Sequence, residues 1–318
     1  MLAWDKNYEA SSVLPADIHL LKAHLLRLKF SIELNYEIDQ PGSDFIFSIH
    51  AAQTRLQSVV NESLVISHNL SHNLYTDPVT YTRFLRLKAF SGPLRVRYEA
   101  TVDLDHYFGP PEQIKEVAVA NLPGSVLAYI YPSRYCQSDR LHRLAVKEFG
   151  HLWQGYSRVQ AIRDWVLNRV TFRSNSSDSN TTAVDTLVEE VGVCRDFAHL
   201  MIALCRAVNI PARFATGIDF GADPALGPTD FHAYVEVYLG GRWYIFDPSG
   251  VAIPMGFVRI GTGRDAADSA FATIFGGVRG AAPVINIEVM QNAAGELMVP
   301  QHVHYALSTD GQFDQILD

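Results

Sequence analysis

From Leu26 to Ile38 every even-numbered position is apolar (Leu26, Leu28, Phe30, Ile32, Leu34, Tyr36, Ile38), and the odd positions between them are polar or charged. A period of two places successive side chains on opposite faces, so this run buries its apolar set only as one long, half-buried β-strand. The alternation returns at Leu94, Val96, Tyr98, Ala100, Val102 and Leu104, after a β-rich run from Tyr81 to Phe90 and the turn Ser91-Gly92-Pro93. That pair reads as a hairpin. With Phe45 to Ile49 and Leu56 to Ile66 as further strands, residues 19–105 are expected to form an antiparallel β-sandwich or barrel with one solvated face. No cluster in this region suggests chemistry.

Helical patterns begin after Pro110-Pro111. A chain of 318 residues exceeds the roughly 250–300 at which one core stops growing, so two domains are expected. The second is placed at 112–280, and 281–318 forms an extension with a strand at Val284 to Met290. Val159, Ile162, Val166 and Val170 recur at helical spacing within Arg158 to Val170, which predicts an amphipathic helix. The stretch Arg173 to Thr182 is dense in Ser, Asn and Thr and reads as an exposed loop. The fold class is therefore α+β.

Composition narrows the function classes. Hydrophobic residues at 48% and charged residues at 19% are ordinary globular values, which argues against pervasive disorder. A net charge of -8 disfavours a nucleic-acid partner needing a broad basic surface. No apolar stretch approaches the roughly 20 residues of a membrane helix, and the N-terminus has no basic start of the kind a secretory signal needs. Three scattered cysteines, Cys136, Cys194 and Cys205, form neither a disulfide framework nor a thiolate zinc site, so a reducing, cytoplasmic setting is expected. The pairs His302-x-His304 and His68-x-x-x-His72 lack an accompanying carboxylate motif; neither a metal nor another cofactor is expected.

Position distinguishes one cysteine. After Gly192-Val193, the apolar residues Phe197, Leu200, Met201, Leu204 and Val208 recur at helical intervals, and Pro211 stops the helix near Asn209. Cys194 stands at the start of this helix, where unpaired N–H groups and the positive end of the macrodipole favour thiolate over thiol. Cys205 lies on the apolar stripe and reads as a core residue, and Cys136 has no helix start near it.

Downstream, Phe231 to Leu239 and Arg242 to Phe246 flank Gly240-Gly241, a two-residue signal for a tight hairpin. If the glycines form the loop, Leu239 faces Arg242, Tyr234 faces Asp247 and His232 faces Ser249. His232, Tyr234, Asp247 and Ser249 then share one face, while Ala233, Val235, Val237, Tyr244 and Phe246 make the other, apolar face. His232 and Asp247 become diagonal neighbours with Cβ atoms about 7 Å apart, a gap an imidazole and a carboxylate can span. Glu236 shares that face but lies roughly 13 Å along the strand from His232. A thiolate at a helix start with a His/Asp pair is the set that cysteine acyl transfer needs: nucleophile, base and orienter.

The blocks Gly192-Val193-Cys194-Arg195-Asp196-Phe197-Ala198-His199-Leu200, Phe231-His232-Ala233-Tyr234-Val235-Glu236-Val237 and Trp243-Tyr244-Ile245-Phe246-Asp247-Pro248-Ser249 resemble those of the transglutaminase-like superfamily, in its bacterial branch with an N-terminal β domain. Tyr131 to Cys136, Thr181 to Leu187 and Gly263 to Asp268 add to the likeness, which covers most of 19–280. The resemblance implies a papain-like α+β core with the cysteine helix packed on an antiparallel sheet. It also implies that Cys194 attacks, His232 accepts and returns the proton and Asp247 holds the imidazole. Tyr234 stands where relatives often carry Trp. The expected activity is acyl transfer on peptide or glutamine carboxamide bonds through a thioester, as protease, amidase or transglutaminase, with a peptide or protein substrate. The alternative is a non-catalytic protein-binding scaffold on the same fold. Of the oxyanion donors, only the backbone N–H of Cys194 is assigned.

Overall fold

A computed structural model describes residues 25–222 and 229–310; residues 19–24 and 311–318 of the expected domains lie outside them. The N-terminal region supplies β1 (Leu26–Ile38), β2 (Ser43–Phe47), β3 (Gln57–Ile66), β4 (His72–Thr76), β5 (Arg83–Ala89), β6 (Gly92–Leu104) and the short β7 (Tyr107–Gly109). β1 pairs antiparallel with β6 along its whole length, and β6 pairs with β3; β2 and β4 flank β5 in a second sheet. The even-numbered set of β1 is buried, apart from the half-buried Tyr36, and it shares one core with Phe45 and Phe47 of β2, Leu85 and Leu87 of β5, and Val96, Tyr98 and Val102 of β6. Two antiparallel sheets thus enclose one apolar layer, as the alternation predicts.

The expected hairpin between Tyr81–Phe90 and Leu94–Leu104 is not formed. β5 and β6 belong to opposite sheets, and the turn at Gly92 (φ 116°) carries the chain across the sandwich. Both strands still bury alternate residues in the shared core, so the same periodicity serves either connection.

The middle of the chain contains α1 (Ser138–Phe149), α2 (Tyr156–Arg169), β8 (Thr171–Phe172), α3 (Ala183–Glu189), β9 (Val191–Gly192) and α4 (Cys194–Ala207). α4 is buried along nearly its whole length and packs against the other three helices and a sheet. It stops where expected: Asn209 takes φ 63°, and the Ile210 N–H returns to the Cys205 carbonyl at 2.9 Å, before Pro211. The sheet beneath has the order β12-β11-β10-β13, all antiparallel, from β10 (Ala212–Asp219), β11 (His232–Leu239), β12 (Arg242–Phe246) and β13 (Phe257–Gly263). Ala233, Val235, Val237, Tyr244 and Phe246 form one core with α4, the apolar face read from the hairpin.

The remaining strands are β14 (Ala272–Phe275), β15 (Val278–Gly280), β16 (Val284–Met290) and β17 (Ala306–Ser308). β14 adds to β2, β15 and β16 both add to β1, and β17 pairs with β7. The hydrogen bonding therefore does not follow a division at residue 280, because the chain returns from the helical region and completes both N-terminal sheets from residue 272 onward. An unpaired β1 would expose a full row of N–H and C=O groups, which the returning strands satisfy.

Candidate active site

Cys194 is the first residue of α4 and is half-buried. Its position is set by Asp196, fully buried, whose Oδ2 accepts the Val193 N–H at 2.9 Å and whose Oδ1 lies 3.1 Å from Arg195 Nη2. Gly192 lies in extended β9, paired in parallel with β8. Its lack of a side chain admits Asp196: a Cβ there would meet the Asp196 Cβ at 2.8 Å.

The hairpin has the register expected of it. Leu239 faces Arg242, Val237 faces Tyr244 and Val235 faces Phe246, around Gly240 and Gly241, both at positive φ. His232 opens β11, and Asp247 follows the last residue of β12. His232 Nε2 lies 3.4 Å from Asp247 Oδ1. That oxygen also accepts the Ser249 N–H at 2.9 Å and the Ser249 hydroxyl at 2.6 Å, while Oδ2 accepts the Ala252 N–H at 3.1 Å. Both carboxylate oxygens are held by donors, so the group that meets the imidazole is fixed in place.

Electrostatics join the three residues. Burial alone would make the His232 ring harder to protonate. The charge of Cys194 and that of Asp247, with side-chain hydrogen bonds to both, outweigh burial and hold its pKa well above the usual histidine value. Burial of Asp247 acts upward on its carboxyl, but the His232 charge and hydrogen bonds from His232, Ser249 and Ala252 bring it below its ordinary value. A stabilised imidazolium beside a thiol at a helix start is an arrangement suited to nucleophilic attack. By contrast, burial pushes the Cys136 thiol up to about 12 and also raises that of Cys205. Both are fully buried.

Glu236 is engaged elsewhere. It is fully buried and pairs with Arg213 at 2.6 Å and with Arg259, and both arginines also reach Asp310, at 2.9 and 2.6 Å. The other sequence blocks prove to be scaffold beneath α4. Thr182 and Asp185 cap α3 reciprocally, Asp265 accepts the Tyr135 N–H at 3.0 Å, and the Tyr135 ring stacks on His199 of α4 at 5.0 Å. Arg206 of α4 donates to the Tyr131 carbonyl and the Ser133 hydroxyl at 3.1 and 2.9 Å.

Three neighbours of the imidazole escaped the sequence reading as participants. Ser249 meets Asp247 through a bond that depends on the chain turning back after β12. Tyr234 packs edge-on against His232 with centroids 4.7 Å apart. Asp219, at the end of β10, brings Oδ2 to 3.8 Å from His232 Nδ1. Among the described residues no group of three or more His, Cys, Asp or Glu is arranged to hold a metal ion, and no helix is long and apolar enough to cross a membrane.

Residues 146–248 match the family model of the transglutaminase-like superfamily core, and residues 26–125 match that of the bacterial transglutaminase N-terminal domain. A crystal structure from Cytophaga hutchinsonii, of a protein provisionally assigned as a cysteine protease, is 39% identical. It superposes with a TM-score of 0.83 over 90% of this chain and 98% of that one. The chain belongs to the transglutaminase-like superfamily. Its core is accordingly of the papain-like type, with the cysteine helix packed on an antiparallel sheet. An uncharacterised Mycobacterium leprae protein is 32% identical over 117 residues, 35% of this chain and 42% of that protein, and the Bacillus subtilis protein YebA is 26% identical over 190 residues, 51% of this chain and 25% of that one. The matches thus span less than half the length of these curated relatives.

Proposed function

We propose that the protein is a cysteine-dependent acyl-transfer enzyme with Cys194 as nucleophile, His232 as general acid and base, and Asp247 as orienter. The observation that carries this reading is the His232–Asp247 contact, made by a carboxylate whose two oxygens are otherwise occupied by Ser249 and Ala252. With Nε2 directed to Asp247, Nδ1 is the nitrogen left to exchange a proton with the Cys194 sulfur. In the first half-reaction the thiolate attacks a peptide or glutamine carboxamide carbonyl, a C–S bond forms, the C–N bond breaks, and the imidazolium proton leaves with the amine. In the second, water or another amine gives its proton to the imidazole and displaces the thiolate from the thioester. Of the two outcomes hydrolysis is the one favoured here, with transamidation sharing the same first half-reaction. The half-exposed Cys194 and the absence of any pairing among the three thiols suit a reducing, cytoplasmic setting.

Iodoacetamide labelling followed residue by residue tests the nucleophile. Cys194 should react rapidly below pH 7, an interval in which an ordinary thiol, with a pKa of about 8.5, is mostly protonated, and Cys136 and Cys205 should stay unlabelled. Intact-mass detection of a thioester or trapped adduct, with a panel of glutamine- and peptide-based electrophiles, tests the acyl step. Labelling confined to the two buried cysteines, or a slow Cys194 that forms no adduct, would leave a binding scaffold as the better description.

A further inference from the structure

Both ring nitrogens of His232 face a carboxylate. Nε2 is 3.4 Å from Asp247, and Nδ1 is 3.8 Å from Oδ2 of Asp219. An imidazolium has two N–H donors and a neutral imidazole one, so a neutral ring leaves a lone pair turned toward one of the two acids. This arrangement favours the charged ring over the neutral one by geometry alone.

The fold holds Asp219 there. β10 pairs with β11 so that Gly217 stands opposite His232, and Asp219 follows two residues later on the same face. A Cβ at Gly217 would fall 2.0 Å from the Val258 carbonyl oxygen, so the β10–β13 irregularity at this point depends on glycine. Around Asp219 stand His232 and Tyr234 from β11 and Asp247 beyond β12, while β13 sets the apolar Phe257 opposite it; Cys194 from α4 acts on the same His232 and Tyr234. The Tyr234 hydroxyl is fully buried and faces the Asp219 carboxyl. Burial raises the Asp219 carboxyl to about 6, the Asp247 charge adding to that rise and the His232 charge and the Tyr234 hydroxyl opposing it.

We propose that Asp219 is a positioning residue of the site, a second carboxylate that stabilises the protonated His232 ring from its Nδ1 side and so sets the pH range in which the thiolate–imidazolium pair exists. The role rests on the acyl-transfer reading above. Asp247 fixes the orientation of the ring through Nε2, while Asp219, 3.8 Å from Nδ1, acts on the ring through its charge and leaves the Nδ1 proton to Cys194. At acidic pH Asp219 takes up a proton itself, and its support for the imidazolium is then withdrawn.

The test is the pH profile of Cys194 alkylation by iodoacetamide, measured by mass spectrometry in the full chain from about pH 4 to about pH 10. In Asp219→Asn the upper inflection of the low-pH reactive form should move down by roughly one pH unit, a tenfold loss in the ring's proton affinity. Asp219→Glu, which keeps the charge, should restore much of it. Should Asp219→Asn fail to fold, the wild-type protein still decides: the Asp219 carboxyl carbon and the His232 ring nitrogens, followed by NMR, should share inflections. Superimposable alkylation profiles, or carboxyl and ring titrations with no common inflection, would overturn the role of Asp219 alone. A wild-type Cys194 with no reactivity below pH 7 would overturn the acyl-transfer reading as well.

Discussion

A Cβ on Gly192 would stand 2.8 Å from the Cβ of Asp196 and 3.1 Å from its Oδ2. That carboxylate caps the first turn of the helix that begins at Cys194. Gly192→Ala must therefore displace Asp196 and release the Val193 N–H, a loss comparable to removing a helix cap, about 1 kcal/mol. The expected result is a severalfold slower alkylation of Cys194 with an unchanged far-ultraviolet circular dichroism spectrum. An unaltered rate would show that the cap does not govern the thiol's position.

Asp247→Asn tests the orienter. Each oxygen of Asp247 accepts from a donor, so either orientation of the amide sets its NH2 against an N–H or O–H. That mismatch costs about 1–3 kcal/mol, which a fold of this size should survive. Steady-state turnover of whichever substrate the adduct screen identifies should fall by roughly 10⁴-fold, if the serine-triad precedent transfers. A variant that keeps the wild-type rate would remove Asp247 from the mechanism.

The parts of this fold that depend on local rules could be read before the structure. β1 spans Leu26–Ile38 and β12 spans Arg242–Phe246, as expected from period two and from the Gly240-Gly241 turn. The register that sets His232 and Asp247 on one face follows from the same turn. Long-range pairing was not readable. The Ser91-Gly92-Pro93 turn signals a reversal equally well within a sheet or between sheets, and nothing local to 272–290 reveals that those strands return to β1 and β2. Asp219 was missed for a related reason: every residue of β10 is buried, so the strand shows no alternation, and without the strand its face could not be assigned.

Glu236 offers a separation of stability from chemistry. Its charge balances Arg213 and Arg259 in a fully buried group that also includes Asp310. Burial acts upward on the Asp310 carboxyl, but the two arginine charges and their hydrogen bonds bring it to about 2. Glu236→Gln leaves excess positive charge in the interior and should cost about 3–5 kcal/mol, seen as a lower denaturation midpoint in urea. The folded variant should retain rapid Cys194 labelling. A midpoint equal to wild type would mean that the network contributes nothing net to folding.

Acid sensitivity follows from histidines that are buried uncharged. Burial and the nearby Arg83 charge lower His50 to about 4 against the pull of Glu62, and burial lowers His106 to about 4 despite a backbone hydrogen bond to Met255. Burial and the charges of Arg195 and Arg206 take His199 well below its ordinary value. The unfolded chain binds protons at these sites as pH falls through about 6.5, while in the folded chain His50 and His106 resist until about 4 and His199 also resists, so stability is lost progressively as pH falls. His232 has the opposite sign, since its raised pKa gives a contribution lost as pH rises through the folded value, and Asp219, raised to about 6 by burial, takes up a proton more readily folded than unfolded and so opposes part of the loss. The net acid loss is therefore carried by His50, His106 and His199. His106→Gln, with no charge to bury, should lose less stability than wild type between about pH 6.5 and about pH 4.5, by on the order of 2 kcal/mol. Urea midpoints at both pH values give the comparison, and parallel losses in the two proteins would exclude His106 as a source of the acid sensitivity.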